Sequence, residues 1–290
     1  MQRSRTMRAE GVASAAGKTR PMSDLGSRVV IAVIGLPLVL GVVYLGGWWL
    51  FTVAAVVAAI ALHEYSLLTR TLRPLLLAAY VGAFLALLGA QLGGPDWAIA
   101  GFFTTLGLAF LLHWIGETRQ SATVAIASTV LGAGWIGLGL AYVLLLRAIP
   151  GNGRLAVFTV LLAVFAGDIA AFFAGQMIGR HRMAPRLSPG KTWEGFAFGT
   201  AATIFVAFVA LYKSPAHHHF VSVGDSLALG AIIAVVGPLG DLFESGLKRD
   251  MQVKDSGRML RGQGGMLDRL DAPLFAAIAA FYFLRGIGAA

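Results

Sequence analysis

The sequence predicts an all-α polytopic membrane protein of about nine transmembrane helices, N-terminus inside and C-terminus outside. Three observations carry that prediction. The 290 residues are 57% hydrophobic and only 13% charged, whereas soluble domains carry about 25% charged residues. Long apolar runs recur along the chain, separated by short polar or glycine-containing turns. The 23 Lys and Arg are distributed unevenly over those turns. There is no cysteine, which excludes a disulfide framework and thiolate metal sites. In a soluble protein a net charge of +9 would suggest nucleic acid. Here it reads first as topology, because Lys and Arg gather on the cytoplasmic side of a membrane, and no nucleic-acid partner is expected.

Residues 1–24 are rich in Arg, Ala and Ser and lack an apolar core. They read as a disordered cytoplasmic tail, with a transit peptide as the alternative and Met7 or Met22 as other possible starts. A transmembrane scaffold follows over residues 25–150, with spans near 28–46, 48–66, 74–91, 97–115 and 122–147. Gly46-Gly47 marks a tight turn, and the run 92–96 another. Gly132, Gly134, Gly137 and Gly139 let the fifth span bend or pack closely. A second transmembrane region, 151–290, holds spans near 155–179, 193–212, 225–247 and 272–288. Alternating these spans from an inside N-terminus puts 19 of the 23 Lys and Arg inside. Only Arg147, Arg154, Lys213 and Arg285 stay outside, and the long loops 180–192 and 248–271 share the cytoplasmic face. His63-Glu64 reads as a polar helix end, with an accessory contact to a site as the other reading. His217-His218-His219 falls in an outer loop and reads as solvated.

Six of the 14 acidic residues lie between Asp241 and Asp271: Asp241, Glu244, Asp250, Asp255, Asp268 and Asp271. Interleaved are Lys248, Arg249, Lys254, Arg258, Arg261 and Arg269. Carboxylates among cations suggest a site for a metal ion and a polyanion such as nucleotide phosphates. Asp241, Glu244, Ser245 and Lys248 share a helix face by spacing. Pro238 and Gly240 place Asp241 near an expected break in an apolar helix. Gly262, Gly264 and Gly265 allow close backbone approach to a ligand.

The second polar element runs from Gly167 to Gly195. Asp168 interrupts an apolar run, and an ionisable group at that depth points to function. Ser188 before Pro189 reads as an N-cap with Pro at N1. That cap would aim backbone N–H groups, Lys191 and Thr192 at an anion. Gly190-Lys191-Thr192 ends like a P-loop but fails that test, because Pro185 occupies the first glycine position and no strand is expected before it. A positive-inside loop that only fixes topology explains Arg180, Arg182 and Arg186 well enough, but not the run 188–195.

Two blocks carry a family resemblance. The runs Ser188-Pro-Gly-Lys-Thr-Trp-Glu-Gly195, with Asp168, and Ser245-x-x-Lys248-Arg249-(x4)-Lys254-Asp255 with Gly264-Gly265-x-x-Asp268-Arg269-x-Asp271 resemble integral-membrane phosphatidate cytidylyltransferases. The resemblance covers roughly the last 125 residues; the first half matches only as hydrophobic scaffold. Gln263 stands where that family usually has His, and Arg261 where Pro is common.

The resemblance implies CTP and phosphatidic acid as substrates, with CDP-diacylglycerol and pyrophosphate as products. The lipid phosphate is already anionic at neutral pH, so the chemistry needs charge neutralisation and in-line positioning more than a base. Mg²⁺, with or without a second cation, is expected on Asp241 and Asp268. Lys248, Arg249, Lys254 and Arg269 would hold the triphosphate, with Asp255 and Asp271 completing the catalytic set. Ser188, Lys191, Thr192, Glu194, Arg186, Ser245, Gly264, Gly265 and Asp168 are the substrate-binding candidates. The partners expected are CTP, phosphatidic acid, the bilayer and a second copy of the chain in a homodimer. The location expected is a bacterial inner membrane, with the site facing the cytoplasm. An ion-coupled transporter or an intramembrane aspartyl protease using Asp168 and Asp241 is the alternative. The protease signature would need Gly at the position of Pro238. The signature of a CDP-alcohol phosphotransferase is absent.

Overall fold

The computed structural model describes residues 35, 37–116, 121–212, 221–253 and 265–289. The tail 1–24, the His run 217–219, Lys254, Asp255, Arg258, Arg261, Gln263 and Gly264 lie outside the described residues. Residues 37–45 are helical and stop at Gly46, whose φ of +66° suits glycine. Then follow α1 (Gly47–Leu68), α2 (Leu76–Gly93), α3 (Pro95–Ile115), α4 (Ala122–Ala148) and α5 (Gly153–Ile178). A short hairpin, β1 (Arg182–Ala184) and β2 (Ser188–Thr192), leads into α6 (Trp193–Tyr212), α7 (Val223–Asp250) and α8 (Asp271–Gly286). Among the described residues seven helices, α1 to α7, are long and apolar enough to cross a membrane, and the chain is an integral membrane protein.

Packing runs opposite to that of a soluble bundle. The core is dominated by small side chains such as Ala61, Ala78, Ala86, Ala163 and Ala280, while Trp49, Phe103, Trp114, Ile115 and Met177 face outward. Lipid solvates the large apolar groups as well as protein would, so helix contact is left to small residues that let backbones close up. α2 lies along α3, α5 along α6, and α7 along both α6 and α8. Within α4, residues Ala133–Leu138 are π-helical. A Cβ on Gly137 would lie 2.5 Å from Ala83 Cβ of α2, and one on Gly139 3.0 Å from Leu274 Cβ of α8. The glycine-rich span therefore packs closely, and its regular coil is interrupted by the π-helical stretch.

Three expectations need correction. The chain is nearly, not wholly, α-helical. Segment 182–192 pairs Arg182 with Thr192 and Ala184 with Ser188 in an antiparallel hairpin. Ser188 lies in its second strand and is not an N-cap. Thr192 caps α6 instead, its Oγ1 accepting the Gly195 N–H at 3.1 Å. Pro189 holds extended backbone as readily as it opens a helix, and pairing with β1 decides the outcome. Nor does α7 break at Pro238, for the helix continues to Asp250. Proline removes one backbone bond there, and flanking helices hold the rest in line.

Contacts across the bundle gather one set of helix ends on a single side. Thr71, after α1, touches Met251, after α7, at 3.5 Å. Arg249 Nε donates to Leu187 O at 3.2 Å in the hairpin turn. The hairpin 182–192 and residues 249–251 thus meet at the same end of the molecule as the turn after α1.

Candidate active site

The hairpin is built to stay put. Glu194, in the first turn of α6, takes His181 Nδ1 on Oε1 at 2.6 Å and the Arg180 N–H on Oε2 at 3.1 Å. The Trp193 N–H closes onto His181 O at 2.9 Å. Glu194 therefore clamps the base of the hairpin. Thr192 is buried beneath it, where the end of α5 carries glycine; a Cβ on Gly179 would stand 2.8 Å from Thr192 Oγ1.

Lys191 projects across to α7. Its Nζ lies 2.6 Å from Asp241 Oδ2 and 3.3 Å from Pro238 O. Ser245 Oγ approaches Asp241 Oδ1 from one turn on, at 3.4 Å. Between α5, the hairpin and α7 opens a cavity of about 660 Å³, lined by Asp168, Phe172, Gln176, Arg182, Ser188, Lys191, Thr192 and Asp241 among others. That volume suits a small-molecule ligand. A smaller recess below it runs past Asp168 to Thr200 and Thr203.

A second polar group sits where α7 meets α8. Lys248 Nζ lies 2.7 Å from Asp268 Oδ1 and 3.4 Å from Glu244 Oε1. The Gly265 N–H donates to Asp268 Oδ2 at 2.6 Å. Burial pushes the Asp268 carboxyl up, but the Glu244 carboxyl, the Lys248 ammonium and the Gly265 N–H together hold it below the usual carboxylate value. Glu244 is fully buried. Asp268 lies in a 3₁₀ turn, Leu267–Arg269, just before α8, and Arg269 is exposed on that turn.

Asp271 joins the two groups. A Cβ on Gly240 would lie 2.3 Å from the Asp271 carbonyl oxygen. Only glycine lets α7 and α8 touch there, and this brings Asp271 up to Asp241. Among the described residues no group of three or more His, Asp or Glu is poised to hold a metal ion.

Placement of the candidate residues is mixed. Asp168, Ser188, Lys191, Thr192 and Asp241 line one cavity. Asp268, Lys248 and Gly265 form the neighbouring group. Arg186 stands exposed on the hairpin turn, and Arg249 binds that turn's backbone. Arg182 and Gln176 line the cavity although sequence reasoning passed over them; Arg182 was credited to topology. Glu244 was not singled out as a site residue either, though its i, i+4 spacing to Lys248 is a readable signal. Glu64 is buried at 3% exposure, and its Oε2 accepts the Leu267 N–H at 2.9 Å, so its contact reading holds over the helix-end one.

Comparison with known proteins places the whole chain. The profile described as "Cytidylyltransferase family" matches residues 26–287. A phosphatidate cytidylyltransferase of Mycobacterium bovis is 32% identical over 292 residues, covering 92% of this chain and 90% of the relative. One of Staphylococcus haemolyticus is 30% identical over 253 residues, covering 86% and 94%. One of Synechocystis is 29% identical over 285 residues, covering 89% and 95%. By profile and by relatives alike, the chain belongs to the cytidylyltransferase family.

Proposed function

We propose that this protein transfers the cytidylyl group of CTP to phosphatidic acid, forming CDP-diacylglycerol and pyrophosphate. The observation that carries the reading is likeness along nearly the full chain to relatives named phosphatidate cytidylyltransferase. The cavity between α5, the hairpin and α7 supports it with two cations, Arg182 and Lys191, and two carboxylates, Asp168 and Asp241, in its lining. An oxygen of the lipid phosphate attacks the α-phosphorus of CTP, the bond to the β-phosphate oxygen breaks, and pyrophosphate leaves.

In this reading Lys191, Lys248, Arg249 and Arg269 neutralise phosphate charge, and Lys254 joins them from outside the described residues. Asp241 and Asp268 are the proposed Mg²⁺ ligands. Each is neutralised by a lysine in this structure; Asp241, in the more exposed pair, can pass to a divalent cation at small cost, and Asp268 would join it only by giving up Lys248. Mg²⁺ commonly takes one or two carboxylates and completes its shell with phosphates and water. It would supply charge neutralisation at the phosphates. Asp271 and Asp168 stand ready as further carboxylates, and Asp255 remains a candidate on sequence grounds. Thr192 spends its oxygen on the α6 cap and Glu194 its carboxylate on the hairpin, so both act as scaffold for Lys191 and Ser188. The proposed catalytic residues all lie within 151–290, with 25–150 as scaffold. Nine spans, an inside N-terminus and a cytoplasmic site in a bacterial inner membrane complete the proposal, on the 19-to-4 distribution of Lys and Arg.

The aspartyl-protease alternative conflicts with Lys191, whose ammonium sits on Asp241 where a dyad would share a proton and a water. The test is purified protein with radiolabelled CTP, Mg²⁺ and phosphatidic acid. Label should enter the lipid phase in proportion to pyrophosphate released. Release of pyrophosphate without labelled lipid would overturn the reading.

A further inference from the structure

We propose that Glu64, in the scaffold half, is a positioning residue for the turn that carries Asp268. Glu64 lies near the end of α1, 203 residues from its partner. Its Oε2 accepts the Leu267 N–H at 2.9 Å. That N–H opens the 3₁₀ turn Leu267–Arg269, so no carbonyl of the turn can take it. Glu64 therefore caps the turn from another part of the chain. The Leu267 side chain is fully buried, which anchors the same residue a second way. Its neighbour Asp268 is held by Lys248 and by the Gly265 N–H. The turn is thus gripped by α1 on one side and by α7 on the other.

A plain polar helix end does not account for Glu64. Such a residue turns its carboxylate to water, whereas Glu64 is 3% exposed. Its Oε1 has no hydrogen-bond partner among the described residues. A buried acceptor left half-satisfied is expensive, and what the side chain gains in return is one bond to one backbone N–H beside Asp268. Fixing that N–H fixes where the Asp268 carboxylate can point. α1 and residues 25–150 as a whole then do more than fill the membrane, since they set the register of the site's second polar group.

The inference rests on the functional reading, and three variants separate the two. Glu64→Gln keeps an acceptor oxygen at the same reach and loses the charge. Glu64→Asp keeps the charge and falls one methylene short. Glu64→Leu keeps the volume and removes the acceptor. Cytidylyl transfer by Glu64→Gln should stay within about threefold of wild type in kcat. Glu64→Asp and Glu64→Leu should lose on the order of tenfold or more in kcat, with KM for phosphatidic acid unchanged, as misplacement of a catalytic group does. Amide hydrogen exchange in the 265–271 peptide should quicken in those two variants alone. Equal activity of all three variants would overturn the proposal. So would Glu64→Asp outperforming Glu64→Gln, because charge and not reach would then matter. If Glu64→Leu does not fold, the Gln and Asp pair decides. A wild-type protein that makes no CDP-diacylglycerol would overturn the functional reading alone, and the exchange comparison would still decide whether Glu64 holds the turn.

Discussion

Two lysine–aspartate pairs stand a few turns apart in this molecule, and they are built differently. Lys191 and Asp241 meet across a cavity wall, with side chains 23% and 37% exposed. Lys248 and Asp268 meet at a helix junction, 14% and 17% exposed, with buried Glu244 beside them and the Gly265 N–H on the free oxygen. The first pair can exchange its partners for a ligand at small cost, because water already reaches it and screens the charges. The second is tied into backbone and core, so opening it strands charges with little solvent. The open pair suits binding and release, while the closed pair suits holding a fixed field where charge builds up in the transition state.

Charge-removing substitutions should break this comparison most clearly. Asp241→Asn and Asp268→Asn should each cut CDP-diacylglycerol formation on the order of 10²-fold or more. Only Asp268→Asn should also lower stability, by about 2 kcal/mol, because it leaves the Lys248 ammonium short of a partner. Activity across a Mg²⁺ titration, with thermal unfolding in detergent, measures both. Equal loss of stability in the two variants would erase the distinction drawn here.

A gentler substitution tests how the two groups are joined. Gly240→Ala places a methyl 2.3 Å from the Asp271 carbonyl oxygen, so α7 and α8 must separate. The cost should be about 1–3 kcal/mol, with turnover reduced and CTP affinity through Lys191 largely kept. Stability by thermal unfolding and KM for CTP read the two halves separately.

The smallest effect is expected at Glu194. Glu194→Gln retains an acceptor for the Arg180 and His181 N–H groups and weakens the contact to His181. Activity should drop no more than a few-fold, by loosening the hairpin under Lys191. A loss of 10²-fold would return Glu194 to direct substrate contact and make the hairpin contacts secondary.

The sequence foretold the helices well and the ends of the story poorly. The span expected over 193–212 is α6 residue for residue, and the other expected spans that are fully described lie within about three residues of their helices. Hydropathy works because a lipid-exposed backbone must satisfy its own hydrogen bonds. The hairpin escaped because Ser-Pro-Gly-Lys-Thr carries no alternation and too few β-branched residues to announce a strand. Continuity of α7 through Pro238 escaped because neighbouring helices, absent from a local reading, hold it straight. Lys248, Asp268 and Gly265 were legible together, since they sit within one charged stretch. Glu64 was legible only as a polar residue at a helix end or an accessory contact; nothing local names its partner, a backbone N–H 203 residues away. Asp241 and Lys191 were each readable, but their pairing needed the hairpin to swing Lys191 onto α7.

The π-helical stretch Ala133–Leu138 has a consequence for how one helix serves two sets of neighbours. A wide turn of this kind holds one residue more than the regular coil, and each residue advances a helix by about 100°. The stretch therefore resets the angular phase of α4 midway along its length. Gly137 faces Ala83 of α2 and Gly139 faces Leu274 of α8, as residues two apart on a helix do, and the extra residue sets the rotation at which the half after Leu138 meets α8. α4 works as a crankshaft whose two throws are offset, the first lying among the N-terminal helices and the second reaching α8, which Asp271 opens, as well as α1 and α2. Deleting one residue from the stretch would straighten the shaft and turn its far throw away from α8, detuning the site without touching any charged group.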